Sequence, residues 1–129
     1  MIILDTDVCI ELLKGKEKVI KVRESIDDDI GISFMSIAEL YYGAEKSKNP
    51  IKNYNEIEKL LLSMEIIHSD IRILKRFGKI KTLLQIQGII LADADIFIAA
   101  TTMETGTKLI TGNVKHFERI PGLVIENWF

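Results

Sequence analysis

The chain has 129 residues, of which 47% are hydrophobic and 28% charged, and its formal net charge is −2. This length and composition are typical of one globular domain, expected over residues 1–129, and exclude a disordered or fibrous chain. No apolar run is long enough to cross a membrane and no signal peptide is recognisable, so we expect a cytoplasmic protein with no membrane partner. The single cysteine, Cys9, excludes an internal disulfide and is expected in the core.

The chain begins with a short apolar run, Ile2-Ile3-Leu4, that ends at Asp5. Such a run is typical of a strand covered on both faces in a parallel sheet. Ligands of open α/β sheets bind beyond the carboxyl ends of the strands, where Asp5 is expected. A carboxylate at the edge of a dry core needs a partner, and a bound cation would provide one. The alternative is that Asp5 only caps the following helix.

Strand and helix patterns alternate along the rest of the chain. Further strands are predicted over residues 30–34, 65–68, 108–111 and 123–125. Helices are predicted over residues 8–13, 16–25, 37–46, 50–64 and 96–104, with a longer one between Asp70 and Gln87. Residues 112–117 are predicted to form a loop, and the acidic run 27–29 a solvated turn. The alternation predicts a three-layer α/β/α fold around a parallel sheet of about five strands.

Glu39 lies early in the third predicted helix, which we expect Ser36 to begin. Ser36 and Glu39 have the spacing of a capping box, in which the glutamate would bond back to the Ser36 amide. The functional alternative is that Glu39 faces the same pocket as Asp5, because both residues follow closely on the end of a strand.

Two more acids and an amide are expected at the same edge of the sheet. Asp93 and Asp95 open a helix, where the helix dipole alone would favour acids. Residues two apart on a helix point to different sides, so we expect Asp93 to be the N-cap and Asp95 to project over the sheet. Asn113 follows the strand at residues 108–111.

Asp5, Glu39, Asp95 and Asn113 thus share one predicted edge and form a set of oxygen ligands. Hard oxygen ligands favour Mg²⁺ or Mn²⁺ over zinc. Mg²⁺ is usually bound by one or two carboxylates together with water and substrate phosphate oxygens. The set therefore predicts a metal-dependent hydrolysis of phosphodiester bonds by an activated water.

Five segments of the chain, in order and suitably spaced, resemble the PIN-domain ribonucleases of the VapC toxin type. The segments are Ile3-Leu4-Asp5-Thr6-Asp7, Ser36-Ile37-Ala38-Glu39-Leu40 with Tyr42-Gly43, Asp95-Ile96-Phe97-Ile98-Ala99-Ala100, Leu109-Ile110-Thr111-Gly112-Asn113 with Phe117, and Pro121-Gly122-Leu123 to Asn127-Trp128. The resemblance implies a PIN-like fold and a toxin of the VapBC type that cuts RNA endonucleolytically. It also implies a homodimer and inhibition by a cognate antitoxin.

The resemblance also assigns roles to individual residues. Asp5, Glu39 and Asp95 match the acidic triad around the metal, and Thr6 and Thr111 match hydroxyls that brace it. Asn113 stands where many members have a fourth acid, which leaves one or two metals open. Asp93 is a further supporting candidate.

Two other functions are compatible with parts of the sequence. Asp5-Thr6-Asp7 after an apolar strand imitates the nucleophile motif of haloacid-dehalogenase phosphatases, although Glu39 would then have no role. A PIN-like scaffold that binds RNA or protein without cutting would account for Asn113 and the modest net charge. The sequence does not specify the RNA target or the antitoxin.

Overall fold

The computed structural model describes all 129 residues, which form five strands and seven helices. The strands are β1 (Ile2–Leu4), β2 (Ile30–Ser33), β3 (Glu65–Ile67), β4 (Leu109–Ile110) and β5 (Ile125–Glu126). The helices are α1 (Thr6–Leu13), α2 (Glu17–Glu24), α3 (Phe34–Glu45), α4 (Pro50–Leu61), α5 (Ile71–Ile86), α6 (Asp93–Thr105) and α7 (Val114–Phe117). None of the helices combines the length and the apolar character that crossing a bilayer requires.

The five strands form one parallel sheet in the order β3-β2-β1-β4-β5. β1 is central, and its residue Ile3 pairs with Gly31 of β2 on one side and Leu109 of β4 on the other. The chain adds β2 and β3 on one side of β1 and then returns to add β4 and β5 on the other. The strand order therefore switches between β1 and β4, which is where ligands bind in such sheets.

Each face of the sheet packs against its own hydrophobic core. Side chains alternate along β1, so that Ile2 and Leu4 enter one core and Ile3 enters the other. The first core is completed mainly by buried residues of α1 to α4: Val8, Cys9, Val19, Leu40, Ala44 and Ile57. The second is completed mainly by buried residues of α5, α6 and α7: Ile73, Ile80, Leu84, Ile96, Ile98 and Phe117. The predicted three-layer fold with five parallel strands is confirmed.

The start of α3 differs from the prediction. Ser33, not Ser36, is the N-cap, and its Oγ accepts a hydrogen bond from the Ser36 amide at 3.1 Å. The helix therefore begins at Phe34, and the Ser36 amide is already occupied. The predicted capping box between Ser36 and Glu39 does not form, because Ser33 has taken the capping position.

Two further local predictions are wrong near the second core. Ala92 is the N-cap of α6 and Asp93 is its first helical residue, so Asp93 does not cap. The predicted loop at 112–117 contains the short helix α7, which the burial of Phe117 fixes against the second core. Neither change moves Asp95 or Asn113 away from the carboxyl edge of the sheet.

Candidate active site

Asp5 lies at the switch point, directly after β1, and only 6% of its surface is exposed. Its Oδ2 accepts a hydrogen bond from the Thr111 hydroxyl at 2.8 Å, and its Oδ1 accepts one from the Thr6 amide at 2.8 Å. Thr111 is fully buried at the end of β4. Asp5 is also the N-cap of α1, so the capping role and a site role coexist in one residue.

The charge of Asp5 is destabilised by its surroundings. Burial raises the pKa of Asp5 from 3.8 to about 7, and the neighbouring carboxylates of Asp7 and Asp95 act in the same direction. The hydrogen bonds from Thr111 and Thr6 oppose this increase but do not cancel it. Burial also raises the pKa of Asp7, against hydrogen bonds from the Gly112 and Val8 amides. Such shifts are typical of sites that need a cation or a proton.

Glu39 and Asp5 are connected by Thr6, which forms a hydrogen bond with each of their carboxylates. The Thr6 hydroxyl donates to Glu39 Oε1 at 2.7 Å, while the Thr6 amide donates to Asp5. Thr6 Oγ1 also lies 3.0 Å from Ser36 Oγ, which packs beneath the network in a fully buried position. Glu39 therefore points toward α1 and the acidic edge, as the functional alternative required.

Asp95 reaches the same edge from the first turn of α6, and its side chain is 22% exposed. Its carboxylate is close enough to Asp5 to raise the pKa of that group. Asp95 Oδ2 lies 3.5 Å from His116 Nδ1. The same His116 nitrogen accepts a hydrogen bond from Asn113 Nδ2 at 2.7 Å. Asn113 and Asp95 thus both lie beside His116, a residue that the site prediction did not include.

Asp93 lies outside this group. Its Oδ1 accepts a hydrogen bond from Lys81 Nζ of α5 at 3.0 Å, and its side chain is 58% exposed.

Asp7 lies beside Asp5, although it was not predicted as a site residue. The available signal was the Asp5-Thr6-Asp7 triplet itself, which places a second acid in the first turn of α1.

The residues present fit a hard divalent cation. None of Asp5, Asp7 or Glu39 forms an ion pair with a lysine or arginine, and Asp95 contacts only the imidazole of His116. Several carboxylates therefore share a partly buried region without a compensating charge. No group of three or more His, Cys, Asp or Glu side chains is arranged to hold a metal ion by itself. A cation at this edge would therefore be held by one or two carboxylates and would take its other ligands from water and substrate, as Mg²⁺ usually does.

A groove of about 600 Å³ begins beside Glu39 and runs between α1, α3 and α4. Its apolar lining includes Ile10 and Leu13 of α1, Leu40 of α3 and Ile57 of α4. Lys14, Lys52 and Glu56 provide charges along the groove. The groove is therefore partly apolar and adjoins one of the carboxylates of the acidic edge.

The family model of the PIN domain matches residues 2–123 of the chain. Ribonuclease VapC2 of Rickettsia felis is 33% identical over 97% of this chain and 96% of its own length. The chain belongs to the VapC ribonucleases of the PIN-domain family. The tRNA(fMet)-specific endonuclease VapC of Salmonella typhimurium is 34% identical, with the same shares of both chains covered. The predicted resemblance is confirmed, and the phosphatase alternative is set aside.

Solved VapC structures have the same fold over the whole chain. The toxin chain in the crystal structure of VapBC2 from Rickettsia felis, bound to a DNA fragment from the promoter, superimposes with a TM-score of 0.95. It is 32% identical and covers 100% of both chains. DNA-bound VapBC from Salmonella typhimurium gives a TM-score of 0.93 at 32% identity, covering 99% of this chain and 98% of the other. The protein is therefore a VapC-type nuclease by sequence and by fold.

Proposed function

We propose that this VapC protein is a Mg²⁺- or Mn²⁺-dependent endoribonuclease and the toxin of a VapBC-type toxin–antitoxin pair, acting in the cytoplasm. The observation that supports it best is the pair Asp5 and Asp95 at the switch point of the sheet, which has no lysine or arginine partner and to which Glu39 is connected through Thr6. The names of the relatives, ribonuclease and endonuclease, support the same reaction class.

Asp5 and Asp95 are the proposed direct ligands of the metal, with Glu39 bound directly or through water. When bound, the metal would polarise a water molecule and stabilise the charge that develops on the phosphate. The water oxygen attacks phosphorus and gives up a proton, the bond to the leaving oxygen breaks, and the leaving oxygen takes up a proton. Thr6 and Thr111 orient the carboxylates through the hydrogen bonds described above. Asn113 is placed beside this group as an amide that adds no charge.

Exposed basic side chains of α7 and its C-terminal end are the proposed contacts to the RNA backbone. Lys115, His116 and Arg119 are all exposed and follow directly on Asn113. Lys14 follows α1 and lines the groove beside Glu39, 3.9 Å from Glu11. Lys46 follows α3, with its ammonium over the Tyr42 ring, and is the most distant of the proposed contacts. Binding through such residues should weaken as salt concentration rises.

The groove beside Glu39 is the proposed binding place of the antitoxin. The solved neighbours are toxin–antitoxin complexes, which supports a protein partner for this chain. A segment with apolar side chains would fill the space between Leu13, Leu40 and Ile57, and it would end at Glu39. Occupation of the groove would therefore cover one side of the acidic edge and prevent RNA from reaching it.

A homodimer is proposed because many apolar side chains remain outside both cores. Leu40 and Ile57 are buried in the first core and are not available for a contact between subunits. Others are exposed and available for contact: Tyr42, Leu62, Ile71, Leu74, Leu83, Ile86 and Ile90. Contiguous apolar surface of more than a few hundred Å² usually marks an interface, and four of these residues, Ile71, Leu74, Leu83 and Ile86, share helix α5. A protein that remains monomeric at high micromolar concentration in analytical ultracentrifugation would contradict the dimer.

The activity is tested with purified, antitoxin-free protein and structured RNAs, in Mn²⁺ or in chelator. We expect cleavage only with metal, and its loss in Glu39→Gln. Glu45→Gln is the matched control, because Glu45 lies on the same helix but bonds only to the Tyr54 hydroxyl at 2.6 Å. Cleavage that survives chelation, or that Glu39→Gln does not reduce, would contradict the proposal. Metal binding without cleavage of any RNA would instead favour a non-catalytic scaffold.

A further inference from the structure

Asp7 connects two parts of the chain that are 105 residues apart in sequence. Its Oδ1 accepts a hydrogen bond from the Val8 amide at 2.7 Å, and its Oδ2 accepts one from the Gly112 amide at 2.9 Å. The first bond and the helix dipole account for an acid in the first turn of α1. The second bond has no role in capping α1, because it leads to the turn after β4.

Two of the three residues of that turn, 111–113, form hydrogen bonds with the segment that contains Asp5 and Asp7. Thr111 Oγ1 donates to Asp5 Oδ2 at 2.8 Å and accepts from the Asn113 amide at 2.9 Å. The Gly112 amide, between them, donates to Asp7. Thr111 and Gly112 are therefore held by two aspartates at the start of α1, and Asn113 is held by Thr111.

Gly112 shows how closely the turn is enclosed. A Cβ atom at this position would collide with the ring of Phe129 and would lie 3.0 Å from Asp7 Oδ2. The turn thus has Asp7 on one side and the ring of Phe129 on the other, and a larger residue at position 112 would require that ring, which is 45% exposed, to move.

We infer that Asp7 is a positioning residue of the nuclease, which holds the 111–113 turn and thereby places Thr111 against Asp5 and Asn113 beside the site. The inference rests on the proposed nuclease function. Both oxygens of Asp7 accept backbone hydrogen bonds, so its carboxylate is oriented by α1 on one side and by the turn on the other. Its role is expressed through the backbone of Gly112 and not through contact with the RNA.

The test compares Asp7→Ala, Asp7→Asn and the control Glu17→Ala, which removes an exposed first-turn acid from α2. We expect Asp7→Ala to lower kcat about 10- to 100-fold at saturating Mn²⁺, the order of loss that a small misplacement of a site causes. KM should change less than about threefold, because the RNA contacts remain. Asp7→Asn keeps an oxygen for the Gly112 amide and should recover most of the loss. Glu17→Ala should match the parent protein.

A double-mutant cycle with Asn113→Ala separates positioning from a general loss of stability. If Asp7 acts through the turn, Asp7→Ala should cost much less in the Asn113→Ala background than in the parent. Additive losses would overturn the inference, as would an unchanged kcat in Asp7→Ala. An Asp7→Asn variant as poor as Asp7→Ala would also overturn it, because the charge of Asp7 would then be what matters.

Amide hydrogen exchange at Gly112 provides a measurement that does not depend on activity. The Gly112 amide should exchange slowly in the parent and in Asp7→Asn, and quickly in Asp7→Ala. Equal exchange in all three proteins would overturn the inference even if the parent cleaves RNA. If the parent protein shows the expected exchange pattern but cleaves no RNA, the proposed function is refuted. The hydrogen bond between Asp7 and the turn would still be established in that case.

Discussion

The hydroxyl of Thr111 donates a 2.8 Å hydrogen bond to Oδ2 of Asp5, across a sequence separation of 106 residues. The two residues follow β1 and β4, the adjacent strands between which the strand order switches. This single contact places the most buried acid of the chain at the point where an α/β sheet binds its ligand. It also orients one carboxylate oxygen, which leaves the remaining lone pairs of Asp5 for a cation.

Thr111→Val tests how much that hydrogen bond contributes to the stability of the protein and to RNA cleavage. Valine has nearly the same shape as threonine but cannot donate to Asp5 or accept from the Asn113 amide. We expect the free energy of unfolding to fall by about 1–3 kcal/mol, the usual cost of leaving buried polar groups unpaired. The control is Thr101→Val, which removes only a bond to the carbonyl of Phe97 in the same helix. Cleavage should drop in Thr111→Val alone, and equal losses in both variants would contradict this role.

The raised pKa of Asp5 predicts an unusual pH dependence of stability in the metal-free protein. The folded protein holds the Asp5 proton up to about pH 7, whereas the unfolded chain loses it near pH 3.8. The free energy of unfolding should therefore fall as pH rises through this window, by at most about 4 kcal/mol. Asp5→Asn should remove most of this slope and melt at a higher temperature than the parent at pH 8. Thermal unfolding in chelator at pH 5 and pH 8 measures both effects, and parallel slopes would show that Asp5 is not the group responsible.

Metal binding should depend on pH for the same reason. A cation that binds Asp5 must displace its proton, so affinity for Mn²⁺ should rise by up to about tenfold per pH unit below pH 7 and level off above it. Calorimetry at pH 6, 7 and 8, in two buffers with different heats of ionisation, measures both the affinity and the protons released. Asp5→Asn should bind Mn²⁺ far more weakly at every pH. Binding of equal strength in the variant would exclude Asp5 as a ligand.

The antitoxin groove can be tested at Gly43, where an added Cβ atom would meet no atom within 4 Å. Gly43 lines the groove on α3, so Gly43→Trp should fill the groove without disturbing the core. Replacing a helical glycine should also leave the helix at least as stable. We expect Gly43→Trp to cleave RNA and to escape inhibition by the cognate antitoxin in a titration. Normal inhibition of this variant would place the antitoxin elsewhere.

Much of the fold could be predicted from periodicity because the sheet is covered on both faces. The run Ile2-Ile3-Leu4 has no polar residue, as expected for a strand with helices on each side. The errors occur where two short signals compete. Ser33 and Ser36 are both good N-caps, and the end of β2 at Ser33 decided between them. The helix α7 has four residues, too few for a periodic pattern to be seen.

The candidate site was predictable as a set of acids but not as a network. Pattern alone placed Asp5, Glu39 and Asp95 at strand ends and helix starts, which the sheet topology then brings to one edge. It could not show that Thr6 bridges two of them, or that His116 lies between Asn113 and Asp95, because these contacts depend on side-chain direction. The hydrogen bond from the Gly112 amide to Asp7 could not be predicted either, because it joins distant parts of the chain.

The two acids of α6 offer a last test in which one helix provides both the variant and its control. Asp95→Asn removes a carboxylate from the acidic edge, whereas Asp93→Asn removes one that pairs with Lys81 on the surface at 3.0 Å. Exposed ion pairs contribute little, so Asp93→Asn should change the free energy of unfolding by less than about 1 kcal/mol and leave cleavage near the parent level. Asp95→Asn should abolish metal-dependent cleavage while the protein remains folded, because it also removes repulsion toward Asp5. Steady-state cleavage and thermal unfolding of both variants give the comparison. Equal loss of cleavage in the two variants would mean that Asp93 belongs to the site. Its ion pair with Lys81 would then have to break when RNA or metal binds.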